Sequence, residues 1–153
     1  MADPWLEALM PEWPESARHA EEVAENMAAW KPLLASFSAG VTEELLFRFG
    51  FMTLLVWLGV KMTRREAPGS FVLWMANLLT ALLFSLAHLA NVVELGISIT
   101  LGTVLYVTLT NGVAGVVFGR LYWRHGLEAA VLAHMVADVV LKVAVPMIQA
   151  GFE

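Results

Sequence analysis

The chain has 153 residues, of which 59% are hydrophobic and only 15% charged, with a mean hydropathy of +0.69. A water-soluble domain carries about 25% charged residues, so this composition excludes a surface built for water and indicates a single-domain integral membrane protein. Residues 1–30 hold seven acidic groups against Arg18 alone, while the rest of the chain sums to +1. No basic stripe offers the phosphate contacts that nucleic-acid binding requires, so nucleic acid is excluded as a partner. Cysteine is absent, which removes disulfides, thiolate nucleophiles and cysteine-ligated metals.

Residues 1–30 read as short helical pieces broken by Pro11 and Pro14. Trp5, Leu9 and Trp13 suit a membrane interface, and Ala20, Val23, Met27 and Trp30 fall on one face of the second piece. The segment lacks the basic start and continuous apolar run of a signal peptide. An acidic, amphipathic N-terminal extension is therefore expected.

Four apolar stretches follow within residues 31–150, at about 31–59, 68 or 71–95, 97–122 and 127–148. Each spans 22 to 29 residues, enough for a hydrocarbon core of about 30 Å. Pro32 falls in a first turn, where a missing N–H costs little. The runs are long and do not alternate, which argues against strands. Their linkers, KMTRREAPGS, ELG and WRHG, are short enough to force neighbouring helices antiparallel. The expected fold is all-α: a polytopic membrane protein with a four-transmembrane-helix core bundle and an interfacial helical extension. Lys61, Arg64, Arg65, Arg120 and Arg124 flank the first and third loops. The positive-inside rule puts the loops near 61–66 and 120–126 in the cytoplasm and both termini outside.

Charge inside a bilayer survives only when it is paired, turned inward or used. The first stretch nevertheless contains TEELLFRF, Thr42 to Phe49. Glu44 and Arg48 are four residues apart and share a helix face, so they can pair through the rigid guanidinium fork. Glu43 lies about 100° around the helix. It is left less neutralised, a candidate general base. The second stretch adds FSLAH, Phe84 to His88, and the fourth HMVAD, with His134 and Asp138 one turn apart. A bundle buries such groups by turning them toward one another. Glu43, Glu44, Arg48, His88, His134 and Asp138 are thus expected to converge in one polar cavity. At about 1.5 Å per residue, Glu43 and His134 reach similar depths. His88 falls only about 10 Å from the outer end, so its helix must tilt or begin later. His19 and His125 are expected at the surface. Gly112, Gly115 and Gly119 read as a helix-packing face.

EELLFR, FSLAH and HMVAD together resemble the three motifs of the CAAX prenyl protease and bacteriocin-processing (CPBP, or Abi) family of intramembrane proteases. That pattern is EExxxR, FxxxH and Hxxx[ND] on separate transmembrane helices, and the resemblance covers roughly residues 33–148. It implies a membrane bundle with a four-helix core and peptide-bond cleavage as the activity. In eukaryotic members the last three residues of prenylated CAAX proteins are removed; bacterial members are linked to peptide maturation and bacteriocin self-immunity. Glu43 matches the family's catalytic glutamate, Glu44 its second glutamate and Arg48 its arginine. Phe84 and His88 match the second motif, His134 and Asp138 the third. Two departures stand out. The usual glycine after the motif arginine is Phe49 here, with Gly50 one place later. The additional N-terminal transmembrane helices of many members are replaced by the acidic extension.

The expected function is an intramembrane endopeptidase of CAAX-protease type. Glu43, with His88, takes a proton from water, His134 stabilises the oxyanion and Asp138 orients that imidazole. Glu44 and Arg48 brace the base. Metal dependence is left open: Glu43, His88 and His134 are ligand types of catalytic zinc, yet no HExxH sets a pair on one helix. Metal-free catalysis is favoured, with zinc the one cofactor the residues would suit. Expected partners are membrane lipid and a peptide or membrane-protein substrate, in a multi-pass cell-membrane setting of prokaryotic inner-membrane type. The alternative is non-enzymatic: a proton-coupled transporter, or a partner-binding scaffold or immunity protein, would use the same buried cluster.

Overall fold

The computed structural model describes residues 30–144, with no strand among the described residues. Apart from Trp30, the expected N-terminal extension lies outside them, as does the end of the fourth apolar stretch. Helix α1 (Trp30–Glu44) passes through a π-helical segment, π1 (Leu45–Met52), into α2 (Thr53–Thr63). The run reaches beyond its expected end at residue 59; the Thr63 hydroxyl donates to the Gly59 carbonyl at 2.8 Å. It stops at Arg64, which takes a left-handed conformation at φ 52°.

Helix α3 (Ser70–Ala87) and the short α4 (Leu89–Glu94) form the second stretch, separated by a tightened turn at His88. Helix α5 (Leu101–His125) begins four residues later than expected, because Thr100 acts as its N-cap. The Thr100 hydroxyl accepts from the Thr103 N–H at 3.1 Å, satisfying one of the donors that a helix start leaves open. Gly126 ends the helix at φ 95°, a conformation strained for any residue with a Cβ. Helix α6 (Leu127–Val139) and a second π segment, π2 (Val140–Ala144), complete the described chain.

Polarity is inverted relative to a soluble bundle. Ser36, Glu44, Arg48, Asn77, Thr80 and His134 are buried, while Leu33, Phe37, Phe49, Leu83, Leu109 and Val113 face outward. In water that exterior would cost about 25 cal/mol per Å² of apolar surface. Against acyl chains it costs nothing, and the inward polar groups can meet one another. Three helical runs, Leu33–Thr63, Ser70–Glu94 and Leu101–His125, are long and apolar enough to cross a membrane. These features describe a multi-pass membrane protein. The described part of the fourth stretch is shorter than those three.

The glycine face of α5 packs on α3, as its spacing suggests. A Cβ on Gly115 would stand 3.0 Å from Ala81 Cβ, and one on Gly119 would overlap Asn77 Oδ1. Without those methyl groups the backbones approach closely enough for Asn77 Nδ2 to donate to the Val116 carbonyl at 3.0 Å. Helix α6 packs against both α1 and α5. Near the chain turns, Trp74 of α3 meets Trp123 of α5 edge to face at 5.0 Å. The 64–69 loop and the Gly126 turn therefore lie at the same end, with the basic residues that flank them.

Candidate active site

The site begins where the first long helix changes its winding. A π turn bonds each N–H to the fifth residue back, which widens the helix and re-aims its side chains. Here π1 starts directly after Glu44, so EELLFR lies across the junction.

Glu44 and Arg48 are both 0% exposed. Arg48 Nη1 donates to Glu44 Oε1 at 2.8 Å, and Nη2 donates to the Gly115 carbonyl at 3.0 Å. The guanidinium lies over the Phe84 ring at 4.5 Å and beside Phe118 at 5.4 Å, where aromatic faces attract the cation without adding charge. His134 Nδ1 is 2.8 Å from the same Glu44 oxygen. Its ring stacks on Phe118 at 4.9 Å with 14° between planes. Glu44 thereby ties the first helix to α6 directly and to α5 through Arg48. It is a lock.

Glu43 sits at the edge of this lock. Its side chain is 31% exposed, yet its Oε2 is buried and has no hydrogen-bond partner among the described residues. That oxygen stands 3.7 Å from His88 Nε2 and 3.8 Å from His134 Nε2. His88 Nδ1 is 2.8 Å from the Phe84 carbonyl. A carbonyl only accepts, so Nδ1 carries a proton there and Nε2 is the nitrogen that faces Glu43. The turn at His88 matters here. One straight helix to residue 95 would put His88 about 10 Å from its outer end, whereas α4 is a separate piece beyond a break.

The structure thus brings together Glu43, Glu44, Arg48, His88 and His134. Asp138 has a different partner: its Oδ2 accepts from Lys142 Nζ at 2.6 Å, while His134 Nδ1 stands 2.8 Å from Glu44. Sequence spacing allowed Asp138 to face His134 or Lys142, each one turn away. The lysine offers a full charge at the helix surface, while Glu44 fills the imidazole's inner side. Asn111 and Thr110 bond back to their own helix, at 3.1 Å to the Val107 carbonyl and 2.8 Å to the Tyr106 carbonyl. His125 is exposed at the α5–α6 turn.

Three parts of the site escaped the sequence reading. Phe118 and the Gly115 carbonyl carry no signal that separates them from ordinary packing groups. The π segment does leave a trace: the displaced glycine after Arg48 is what one extra residue in a helix would produce, and a π turn absorbs such a residue. The donor types would suit zinc. Among the described residues, however, no group of three or more acidic or histidine side chains is arranged to hold a metal ion.

The family model described as Type II CAAX prenyl endopeptidase Rce1-like matches residues 25–140. No curated protein and no solved structure matches the chain. The matched region takes in EELLFR, FSLAH and HMVAD, and with them all of α1 to α6. Because the match extends over well more than half of the sequence, the chain belongs to the Type II CAAX prenyl endopeptidase Rce1-like family.

Proposed function

We propose that this protein is an intramembrane endopeptidase that hydrolyses a peptide bond with water activated by Glu43 and His88. The observation that carries this reading is the position of Glu43 Oε2, buried, without a hydrogen-bond partner among the described residues, and within 3.8 Å of both imidazole Nε2 atoms. The 3.7 Å gap to His88 is too long for a direct hydrogen bond. One water oxygen fits against both acceptors and gives a hydrogen to each. Glu43 takes one of those protons as the water oxygen bonds to the scissile carbon, a contribution of about 10²–10⁴ in rate. The carbonyl electron pair moves onto oxygen, where His134 Nε2–H donates to it. Glu43 then passes its proton to the departing amine as the C–N bond breaks.

Charge balance supports that role for His134. Glu43 and Glu44 bring two negative charges and Arg48 one positive. A doubly protonated His134, with Nδ1–H on Glu44, brings the four groups to zero, and net charge is what a low-dielectric interior tolerates least. The family's description makes prenylated CAAX sequences the first substrates to try. Purified protein in detergent, offered farnesylated CAAX peptides and an unprenylated peptide library, is expected to cleave. Glu43→Gln and His88→Ala are expected to lose that cleavage; equal turnover in all three proteins would overturn the reading. Elemental analysis of dialysed, active protein tests the metal-free path, which stoichiometric zinc needed for activity would replace.

The same reading places the basic end in the cytoplasm. The natural chain has no cysteine, so a Glu66→Cys variant carries one reactive thiol. In intact cells an impermeant maleimide is expected to leave it unlabelled until the membrane is opened. Labelling from outside would invert the topology.

A further inference from the structure

Along the outer seam between α3 and α5, two cavities follow one another in a way that peptide hydrolysis does not require. The first lies at the basic end. It measures about 330 Å³ and is lined by Ser70, Leu73, Trp74, Arg120, Trp123 and Arg124. The Arg120 guanidinium lies 5.0 Å from the Trp123 ring and 5.9 Å from the Trp74 ring. Those contacts orient the cation without neutralising it. Arg124 follows one turn on, exposed. Among the described residues neither arginine has an ion-pair partner, although Glu66 and Glu128 belong to the loop and helix start at this end.

The second cavity continues the seam toward the middle of the bundle. It measures about 380 Å³ and is lined by Leu78, Leu82, Leu109, Gly112, Val113 and Val117, among others. The two are in register. On α3, Ser70, Trp74, Leu78, Leu82 and Ser85 succeed one another at one-turn spacing, and on α5 so do Arg124, Arg120, Val117, Val113 and Leu109. From Ser70 to Ser85 the seam runs about 22 Å, room for a head group at the basic end and the first part of an acyl chain beyond it. Gly112 keeps it open, since a Cβ there would come no nearer than 4.0 Å to Ser85.

We infer that this seam is a binding site for one anionic phospholipid. Its phosphate sits between Arg120 and Arg124 with the Ser70 hydroxyl in reach, and one tail lies in the apolar groove. Charge selects the head: two cations without carboxylate partners, held at the indole level of the membrane, favour a phosphate that carries net negative charge over a zwitterion. Arginine's planar fork suits phosphate oxygens. The tail groove follows the head pocket along the same two helices, so a lipid spanning them gains from both where a free anion gains from one. The site is separate from the hydrolytic centre; none of its named residues is a proposed catalytic group.

The test is native mass spectrometry of the full chain, titrated with dioleoyl phosphatidylglycerol, dioleoyl phosphatidylcholine or inorganic phosphate. One phosphatidylglycerol per chain is expected to stay bound at concentrations where phosphatidylcholine does not. Arg120→Gln with Arg124→Gln is expected to weaken it about thirtyfold, from two cations each contributing near the membrane surface. Lys61→Gln with Arg64→Gln removes the same charge outside the seam and is expected to leave binding within about twofold of wild type. Gly112→Leu fills the tail groove and is expected to weaken phosphatidylglycerol while leaving inorganic phosphate unchanged. Equal losses in the two double variants, equal retention of the two lipids, or phosphate binding as tightly as phosphatidylglycerol would each overturn the inference. Should the first double variant not fold, the exposed Arg124→Gln alone decides: about fivefold weaker binding supports the site, and unchanged binding refutes it.

Discussion

Glu43 and Glu44 are adjacent in sequence, and the structure gives them opposite surroundings. Glu44 is fully buried, with Arg48 and His134 each 2.8 Å from one of its oxygens. Glu43 is partly exposed, and the nearest imidazole nitrogens stand 3.7 and 3.8 Å from its buried oxygen. A group at hydrogen-bond distance from fixed partners is already committed, and moving its proton would break what it holds. Glu44 also has an Oε2 without a hydrogen-bond partner among the described residues, but it is sealed inside the frame. Glu43, partly exposed and close to two imidazoles, can take up a water or a reacting atom without disturbing that frame. On the proposed mechanism, the contrast separates the part of the cluster that positions from the part that would react.

The sharpest way to break that contrast is to neutralise Glu43. Glu43→Gln keeps the shape and removes the base, so turnover is expected to fall by about 10²–10⁴. Thermal unfolding in detergent should stay near wild type, because Glu43 makes no direct hydrogen bond to the frame among the described residues. A variant that unfolds instead would place Glu43 in the frame.

The mirror experiment is Glu44→Gln. It leaves the Arg48 charge in the interior without its carboxylate, and breaking a buried pair costs about 3–5 kcal/mol. Denaturant or thermal unfolding is expected to show that loss. Glu44→Leu with Arg48→Leu removes both charges and should recover much of it, since buried pairs are often replaceable by apolar groups. If Glu44→Gln folds as well as wild type, the lock is not what stabilises this region.

A smaller effect is expected where the lock leans on its scaffold. Gly115 supplies the carbonyl that accepts from Arg48, and its missing side chain lets α3 approach. Gly115→Ala forces that pair apart and should cost about 1–3 kcal/mol. Turnover of the folded fraction should fall less than in Glu43→Gln. A neutral result would mean that α3 can shift without cost and that the glycine face is not tightly packed.

Much of this was legible in the residues, for identifiable reasons. The Glu44–Arg48 pair follows from four-residue spacing in an apolar helix, and the convergence of Glu43, His88 and His134 follows from the cost of leaving such groups in lipid. Glycine spacing in α5 foretold a close-packing face, whose partner, α3, came from the structure. The winding of π1 left only the displaced Gly50 as a trace, because the other residues from Leu45 to Met52 are as compatible with an α-helix. Nor did the Phe118 stack on His134, since an aromatic in a membrane helix can face lipid or protein with equal ease. The break at His88 was hidden because FSLAHLANV contains neither proline nor glycine.

Asp138 marks where spacing left two partners open, and it provides the mildest test. Reading HMVAD alone, the acid one turn from His134 is the natural support for its ring. In the structure Glu44 holds Nδ1, and Asp138 pairs with a Lys142 whose side chain is 51% exposed. Because Asp138 itself is only 13% exposed, the pair stands at the upper end of the range of exposed pairs, about 1 kcal/mol. Asp138→Asn should therefore shift unfolding by about that much, and it should change kcat by less than about threefold, against the 10²–10⁴ expected for Glu43. Lys142→Gln should match it in both respects, because each variant removes one end of the same pair. If Asp138→Asn instead loses turnover on the scale of Glu43→Gln while Lys142→Gln does not, His134 depends on Asp138 during the reaction. Support for the imidazole would then pass from Glu44 to its own helix, and Glu44 would keep only its hold on Arg48.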